Sequence, residues 1–297
     1  MGYFNIGDIV GRKSYNRDIF FKITDFFKNE EGRECAHLKG IFMRLLANAP
    51  LDDLEKVEPG ELTVHLKEHT VKGSEQMNRI LARRRKEREF FLSRAVQTEK
   101  NSGGHSHLTD GFDLPGTVLH IDGDSDYLEL CLTTYKQLNI PANGYCVNEE
   151  QQPQVVGNLL AKHIPDLLVL TGHDGLMKGK VDFSDVNNYY SSKYFVAAVK
   201  EARRYEKSMD DLVIFAGACQ SHYEAILSAG ANFASSPRRV MIHAYDPVFV
   251  VEKIAYTSIY DPISIKEIIS GTITGFSGIG GVETRGKFRI GIPKSPY

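Results

Sequence analysis

The sequence contains no apolar stretch of the roughly 18 residues that a membrane-spanning helix needs. Its N-terminus, MGYFNIGDIVGRKSY, also lacks the long apolar core that is typical of a secretory signal. The net charge is only −2, so the overall charge indicates neither a nucleic acid nor another highly charged partner. Together these absences favour a globular chain and predict no membrane partner.

Cysteine is also scarce. The four cysteines contain no CxxC pair, so we expect reduced thiols in a cytosol and not a disulfide framework. His105 and His107 lie two residues apart in a Gly- and Ser-rich segment, without a cysteine or carboxylate at ligand spacing. We therefore expect a plain loop at this segment, and no cofactor in the protein.

Composition divides the chain into three parts. Residues 1–60 carry short apolar runs separated by turn signals such as KNEEGR, which predicts a small SH3-like β-barrel. Residues 61–115 carry a basic helix, expected to begin near Ser74, and then a polar linker over 97–116. The basic cluster at 83–86 is either a solvated helix face, which we favour, or a contact for nucleic acid or an acidic partner.

Residues 116–297 alternate between apolar strand-like runs and amphipathic helix-like runs. TVLHID, ANGYCV, DLLVLTG, DLVIFAG and RVMIHAY are the expected strands. This pattern is typical of an α/β fold with a mostly parallel sheet covered by helices on both faces. Asp246 and Asp261 each precede a proline, so helices are predicted to begin at both positions.

Two of the expected strands end on reactive side chains. His173 follows DLLVLTG, and Cys219 follows DLVIFAG. Ligands bind at the carboxyl ends of the strands in such sheets, and neighbouring strands lie about 4.8 Å apart. If these two strands are neighbours, Cys219 and His173 can act on one carbonyl group as nucleophile and proton carrier.

The flanking residues supply the other parts that this chemistry needs. A helix expected to begin near Ser221 would lower the pKa of the Cys219 thiol through its dipole. The backbone N–H of Cys219, with that of Asp174 or Gly175, would form an oxyanion hole. The opposing interpretation, which spacing alone leaves open, is a structural cysteine and a loop histidine.

The order strand, histidine, glycine, helix, strand, alanine and cysteine resembles the caspase, legumain and clostripain group of cysteine peptidases. His173 and Cys219 lie 46 residues apart, close to the separation of about 50 found in caspases. The sequence departs from the pattern because Asp174 intervenes before Gly175, and because Gly217 stands where caspases carry glutamine.

A resemblance to another family spans nearly the whole chain. GDIVGRKSY, TVLHIDGD, LVLTGHDG, VIFAGACQSHYEAILSAGANFASSPRRVMIHAYDPV and GGVETRGKFRIGIP are similar to the YabG family of sporulation-specific cysteine peptidases. The resemblance implies an endopeptidase that processes spore coat and related sporulation proteins and can cut itself. It also implies a place in the mother-cell cytoplasm and then in the spore coat and cortex region. The family's catalytic pair falls on His173 of TGHDG and Cys219 of AGACQSH.

Relatives in the wider group read one side chain in a pocket beside the cysteine. Ser235 and Ser236 are expected to line that pocket, and Asp246 or Asp174 would supply a carboxylate for an arginine. We therefore predict cleavage after arginine, although Ser235 and Ser236 are also explained as a turn before Pro237, and Asp246 as the cap of its own helix. The Arg-rich segment 83–94 and the linker would then be a joint that the enzyme cuts itself.

Two other functions remain open at this point. Asp122 ends a strand and Asp124 follows two residues later, as in haloacid-dehalogenase-type phosphatases that hold Mg²⁺. The lysine and second acidic pair of those enzymes are not convincingly placed, and we favour Asp124 as a helix N-cap. The third possibility is a non-catalytic protein that binds RNA or coat partners.

Overall fold

The computed structural model describes residues 4–102, 112–177 and 180–291. An N-terminal antiparallel sheet and a long helix precede a mixed α/β unit. The strands are β1 (Ile9–Arg12), β2 (Phe20–Lys28), β3 (Glu34–Gly40), β4 (Leu46–Pro50), β5 (Leu54–Lys56), β6 (Phe112–Leu114), β7 (Val118–Asp122), β8 (Ala142–Cys146), β9 (Leu167–Thr171), β10 (Val213–Ala216), β11 (Phe233–Ser235), β12 (Pro262–Ile263), β13 (Ile279–Gly281), β14 (Thr284–Arg285) and β15 (Arg289–Gly291). The helices are α1 (Pro59–Ser102), α2 (Ser125–Gln137), α3 (Gln152–His163), α4 (Ser192–Tyr205), α5 (Tyr223–Ser228), α6 (Asp246–Ala255) and α7 (Ile265–Ser270).

The N-terminal sheet has the strand order β4-β3-β2-β1-β5, and every pair of neighbours is antiparallel. Apolar side chains that alternate with polar ones along its strands form a small core of their own, as period-two patterning requires. That core consists of Val10, Phe21, Ile23, Ala36, Leu38, Ala49 and Leu54. The prediction of several short strands is confirmed, and closure into an SH3-like barrel stays a prediction.

Helix α1 begins at Pro59, well before the expected start at Ser74. Proline fits the first helical turn because its missing N–H has no intrahelical partner there, and Glu61 adds favourable charge near the N-terminus. The helix runs on to Ser102, so the expected linker over 97–116 is partly helical. Residues 103–111, with the two histidines, lie outside the described residues, and Phe112–Leu114 near the end of the linker forms β6.

The basic cluster of α1 docks this helix onto the α/β unit. Arg83 and Arg84 both bind the carboxylate of Glu252, at 2.7 Å each. Arg84 also donates to the carbonyl oxygen of Leu138 at 2.7 Å and stacks on the ring of Tyr256. The expectation of a fully solvated basic face is therefore wrong for these two arginines.

Replacement of Glu252 by alanine tests this docking. The Glu252 side chain is 1% exposed, and its removal leaves two half-buried guanidinium groups without their carboxylate. We expect the free energy of unfolding to fall by about 2–4 kcal/mol, measured by urea denaturation. The Glu267→Ala variant is the control, because Glu267 pairs with Lys253 while 62% exposed, and it should change stability by less than about 1 kcal/mol. Equal losses in both variants would count against the docking.

The central sheet has the strand order β13-β11-β10-β9-β7-β8. All neighbours are parallel except β11 and β13, which are antiparallel. Along β9, Leu167 and Val169 pack with α2, α6 and α7, whereas Leu168 and Leu170 pack with α3, α4 and α5. Helices therefore cover both faces, which confirms the prediction made from the continuous apolar runs.

Two predictions about individual elements are wrong. The segment RVMIHAY is not a strand of the sheet, and the place after β10 is taken by β11 instead. Ser236 and Arg239 adopt positive φ angles of 65° and 54°, which turn the chain away from the sheet. The Asp261-Pro262 pair does not begin a helix, because Pro262 lies in β12 and α7 begins only at Ile265. No helix in the described parts of the chain is both long enough and apolar enough to cross a bilayer.

Candidate active site

Three neighbouring strands deliver polar side chains to one edge of the central sheet. β9 pairs with β10 on one side and with β7 on the other, in parallel register. His173 follows β9, Cys219 follows β10, and Asp122 is the last residue of β7. The condition set from the sequence, that the histidine and cysteine strands are neighbours, is therefore met.

The turn between β10 and Cys219 requires a glycine. Gly217 has a φ of +109°, and a Cβ there would lie 2.4 Å from the hydroxyl oxygen of Ser235. Residues that carry a side chain rarely adopt this backbone conformation. That hydroxyl also donates to the carbonyl oxygen of Ala218 at 2.7 Å, so β11 fixes the backbone that carries the cysteine.

Cys219 is fully buried in this structure. The backbone N–H of Ile242 donates to its Sγ at 3.3 Å, and burial raises the pKa of the thiol to about 12. The prediction of a lowered pKa is thus wrong for this state. Helix α5 begins only at Tyr223, so its dipole acts from farther away than the sequence indicated, while the surrounding atoms exclude water.

His173 is held between two carboxylates. Its Nε2 lies 3.1 Å from Asp124 Oδ2, its Nδ1 lies 3.6 Å from Glu149 Oε1, and its backbone N–H donates to Glu149 at 2.6 Å. Burial lowers the pKa of this imidazole, but the two carboxylates outweigh burial and the net pKa is raised. Sequence reasoning did not find Glu149, which lies in a short turn before α3 and carries no motif.

Asp124 caps helix α2, as favoured from the sequence. Its carboxylate accepts hydrogen bonds from the N–H groups of Asp126 at 2.9 Å and Tyr127 at 3.2 Å. It also binds Lys39 of the N-terminal sheet at 2.6 Å. Burial raises the pKa of Asp124, but His173 and Lys39 outweigh burial and lower it overall.

Asp122 meets a buried arginine. Its Oδ2 accepts from Arg44 at 2.6 Å and from the hydroxyl of Thr171 at 2.8 Å, and its Oδ1 accepts from the N–H of Asp124 at 3.0 Å. Burial raises the pKa of Asp122, but Arg44 outweighs burial and the net pKa is lowered. Cations of the protein thus occupy both carboxylates that a phosphatase would need for its nucleophile and Mg²⁺.

Of the three backbone N–H groups expected to form the oxyanion hole, one already donates a hydrogen bond within the protein. The N–H of Gly175 donates to the carboxylate of Asp174 at 2.8 Å. The N–H groups of Cys219 and Asp174 donate to no acceptor among the residues that the structure describes. The Asp174 carboxylate accepts from Ser191 N–H and from the Ser221 hydroxyl, at 2.8 Å each, so it stabilises the loop after β9.

The side chains expected in a substrate pocket are engaged in internal hydrogen bonds. The Ser236 hydroxyl donates to the carbonyl oxygen of Val240 at 2.6 Å. Asp246 accepts from the N–H groups of Ile273 at 2.7 Å and His243 at 3.1 Å. With Ser235 bound to Ala218, the pocket role of these residues stays a prediction.

Sequence comparison decides the family. The profile described as "YabG peptidase U57" matches residues 5–293. The "Sporulation-specific protease YabG" of Bacillus subtilis (strain 168) is 42% identical over 290 residues, which are 98% of this chain and 98% of that protein. This chain belongs to the YabG peptidase family. It is therefore a protease, and peptide-bond hydrolysis takes precedence over the phosphatase and non-catalytic alternatives.

The N-terminal sheet of this YabG family member covers the edge that carries the histidine. Lys39 and Arg44 bind Asp124 and Asp122 across the boundary. A cleft of about 410 Å³ remains between the two parts. It is lined by Thr24, Asp25, His37, Leu38, Leu46, Ala47, Asn48, Glu149, His173, Asp174, Tyr190 and Ser191.

A stack of imidazole rings fastens the same boundary in this peptidase. His69 of α1 stacks on Phe42, with ring centres 4.4 Å apart, and on His243 at 5.4 Å. His65 lies 4.6 Å from His69. Burial lowers the pKa of His69 to about 4 and that of His243 to about 3, so the stack favours neutral rings.

Acidification should therefore weaken the fold of this YabG family member. A histidine with a pKa near 6.5 when unfolded binds protons before the folded stack does, so stability falls as the pH drops from about 6.5 towards the folded pKa values. We expect a loss of about 3 kcal/mol between pH 7 and pH 5, measured by urea denaturation at each pH. His69→Gln should flatten this dependence, and His163→Gln, outside the stack, should not. Equal pH dependence in all three proteins would contradict the role of the stack.

Proposed function

We propose that the protein is a cysteine endopeptidase in which Cys219 is the nucleophile and His173 the proton carrier. The observation that supports this most strongly is the parallel pairing of β9 and β10, which brings both residues to one edge of the sheet. Membership of a peptidase family supports the peptide bond as the substrate.

The reaction follows from these two groups. His173 accepts the thiol proton, and the Cys219 thiolate adds to the carbonyl carbon of the peptide bond. The oxygen takes the negative charge and is stabilised by the N–H groups of Cys219 and of Asp174 or Gly175. The C–N bond then breaks while His173 protonates the leaving amine. Water, deprotonated by His173, hydrolyses the thioester and restores the thiol.

The described state is not the reactive one. The thiol is covered and keeps its proton, because burial raises its pKa to about 12. The Nε2 atom of His173 lies 3.1 Å from Asp124 Oδ2, so a carboxylate faces this nitrogen. Activity therefore requires the segment that covers the thiol to move aside, so that water and substrate reach Cys219 and its pKa falls.

The substrates that we propose are spore coat and other sporulation proteins, met in the mother cell and then in the spore coat and cortex region. The name and full-length similarity of the Bacillus subtilis relative support a role in sporulation. We further propose cleavage after arginine, and self-cleavage within the segment 83–94 or the linker that follows it. Mass spectrometry of wild type beside Cys219→Ala tests self-cleavage, because identical fragments from both would indicate a contaminating protease.

The class of the peptidase is tested by inhibition with an unfolded polypeptide, such as reduced and alkylated casein, as substrate. Iodoacetamide should abolish cleavage, whereas a metal chelator and a serine-directed sulfonyl fluoride should leave it unchanged. Peptide mapping should place the modification that tracks with lost activity on Cys219, with the buried Cys35 as an internal reference. Inhibition by the chelator alone would overturn the proposal.

A further inference from the structure

One segment of the N-terminal sheet lies across the candidate active site in the manner of a bound peptide. The carbonyl oxygen of Phe42 accepts from the N–H of Ala244 at 3.0 Å, and Met43 pairs antiparallel with His243. The Met43 carbonyl oxygen also accepts from the Tyr127 hydroxyl at 2.6 Å. Backbone pairing of this kind is how extended peptides add to an exposed strand-like edge.

The next residue, Arg44, fills a pocket beneath this pairing. Its side chain is fully buried although it comes from the N-terminal sheet. One guanidinium nitrogen binds Asp122 at 2.6 Å, the other lies 3.4 Å from the Cys131 sulfur, and the group lies over the ring of Tyr127. Its Nε–H has no acceptor within the described residues, so the arginine is held by its tip and not by a complete set of bonds.

Asp122 is shaped to receive such a cation. The N–H of Asp124 and the hydroxyl of Thr171 fix its carboxylate, which is fully buried. His120 Nε2 lies 3.3 Å from Asp122 Oδ2, and burial lowers the pKa of this imidazole. A buried carboxylate without a cation is strongly unfavourable, so if Arg44 leaves, another cation must replace it.

The segment that carries Arg44 runs past the thiol. Met43 pairs antiparallel with His243, so Arg44 lies opposite Ile242, whose N–H donates to the Cys219 sulfur at 3.3 Å. Asp122 stands at the end of β7, two strands from β10, or roughly 10 Å across the sheet edge. One residue thus places its backbone at the nucleophile and its side-chain tip on Asp122, as the residue before a cleaved bond must do.

The chain reverses immediately after Arg44. The N–H of Leu45 donates to the carbonyl oxygen of Met43 at 2.7 Å, and the Leu45 carbonyl oxygen accepts from Gly40 at 2.9 Å. These bonds close the end of the β3–β4 hairpin. The segment therefore occupies the site without continuing as an extended chain. This geometry fits a segment that blocks the site better than a substrate that is cut there.

We propose that Asp122 is the residue that recognises the arginine before the cleaved bond in protein substrates, and that Arg44 holds this place in the free protein. The inference rests on the proposed cysteine peptidase activity and specifies how its site selects a side chain. It moves arginine recognition from Asp246 and Asp174, which are engaged in loop hydrogen bonds, to Asp122. It also makes the N-terminal hairpin a competitor of the substrate.

Two fluorogenic peptides that differ only in arginine or its neutral isostere citrulline before the cleaved amide test the role of Asp122. In full-length Asp122→Asn, kcat/KM for the arginine peptide should fall at least 100-fold, and the preference for arginine over citrulline should vanish. Asp52→Asn is the matched control, because Asp52 pairs with Arg33 in an exposed ion pair, and it should stay within threefold of wild type. An unchanged preference in Asp122→Asn overturns the proposal.

Substitutions of Arg44 test whether this residue competes with the substrate arginine for Asp122. Arg44→Ala should raise kcat/KM for the arginine peptide at least 10-fold, whereas Arg33→Ala should change it less than twofold. Arg44→Lys keeps a cation on Asp122, so it folds even if Arg44→Ala does not, and it should give a rise of at least threefold because an ammonium lacks the guanidinium fork. If kcat/KM rises in neither Arg44 variant, the proposal that the hairpin competes with the substrate is overturned. Cleavage that persists in Cys219→Ala would instead overturn the proposed function, so the two failures are distinguishable.

Discussion

Replacing Cys219 with alanine is expected to lower kcat/KM on a peptide substrate by about 10⁴-fold or more. Removal of a nucleophile leaves only the rate enhancement from substrate binding and from the oxyanion donors. In other peptidases this is a small fraction of the total rate enhancement. The variant should bind substrate with little change in KM, because alanine fills the same place without adding bulk. Steady-state kinetics with an arginine peptide measures both constants.

The matched control is Cys35→Ala. Cys35 is another buried free thiol, but it lies on β3 of the N-terminal sheet. Its replacement should leave kcat/KM within about threefold and should affect stability more than activity, since it creates only a small cavity. Equal loss in the two variants would show that the thiol at 219 has no special part in the reaction.

Replacing His173 with glutamine is expected to lower kcat by about 10³-fold. Glutamine keeps hydrogen-bonding groups near Asp124 and Glu149, so the loop after β9 should stay folded, but it cannot carry a proton between the thiol and the leaving amine. The loss should fall on kcat and not on KM. When kcat is measured from pH 5 to pH 9, the variant should also lack the pH dependence that arises in the wild type from ionisation of His173. The two carboxylates raise the pKa of this imidazole.

His163→Gln serves as the control for this measurement. His163 is the last residue of α3 and is half-buried, and its Nε2 lies 2.7 Å from the hydroxyl oxygen of Tyr145. Its replacement should leave kcat and the shape of the pH profile as in the wild type. If His173→Gln behaved the same way, a group other than His173 would have to move the proton.

Local patterns allowed much of the α/β unit to be predicted. Continuous apolar runs such as Leu167–Thr171 become strands buried on both faces, and the reactive residues that follow such runs necessarily reach one edge of a parallel sheet. Asp124 was recognisable as an N-cap because the cap and its helix are adjacent in the chain. These features depend on neighbours within a few residues, which a sequence displays directly.

The cover over the site depends on distant residues and could not be predicted. Arg44 meets Asp122 across 78 positions, and Lys39 meets Asp124 across 85. In the sequence, both cations belong to ordinary strand-and-turn segments of the N-terminal sheet. The prediction of a lowered pKa for Cys219 rested on the helix that follows it in the chain, but burial raises that pKa instead. Nothing near position 219 in the sequence shows that another part of the chain covers the thiol.

Covalent trapping tests the thiol–imidazole pair most directly. A peptidyl-arginine chloromethyl ketone, incubated with the full-length enzyme while it cuts peptide, should alkylate one thiolate per chain with loss of chloride, and the added mass should lie on the peptide that contains Cys219. His173→Gln should acquire the same mass far more slowly. An adduct on another residue, or none in a preparation that is actively cleaving peptide bonds, would show that the protease works through a different nucleophile.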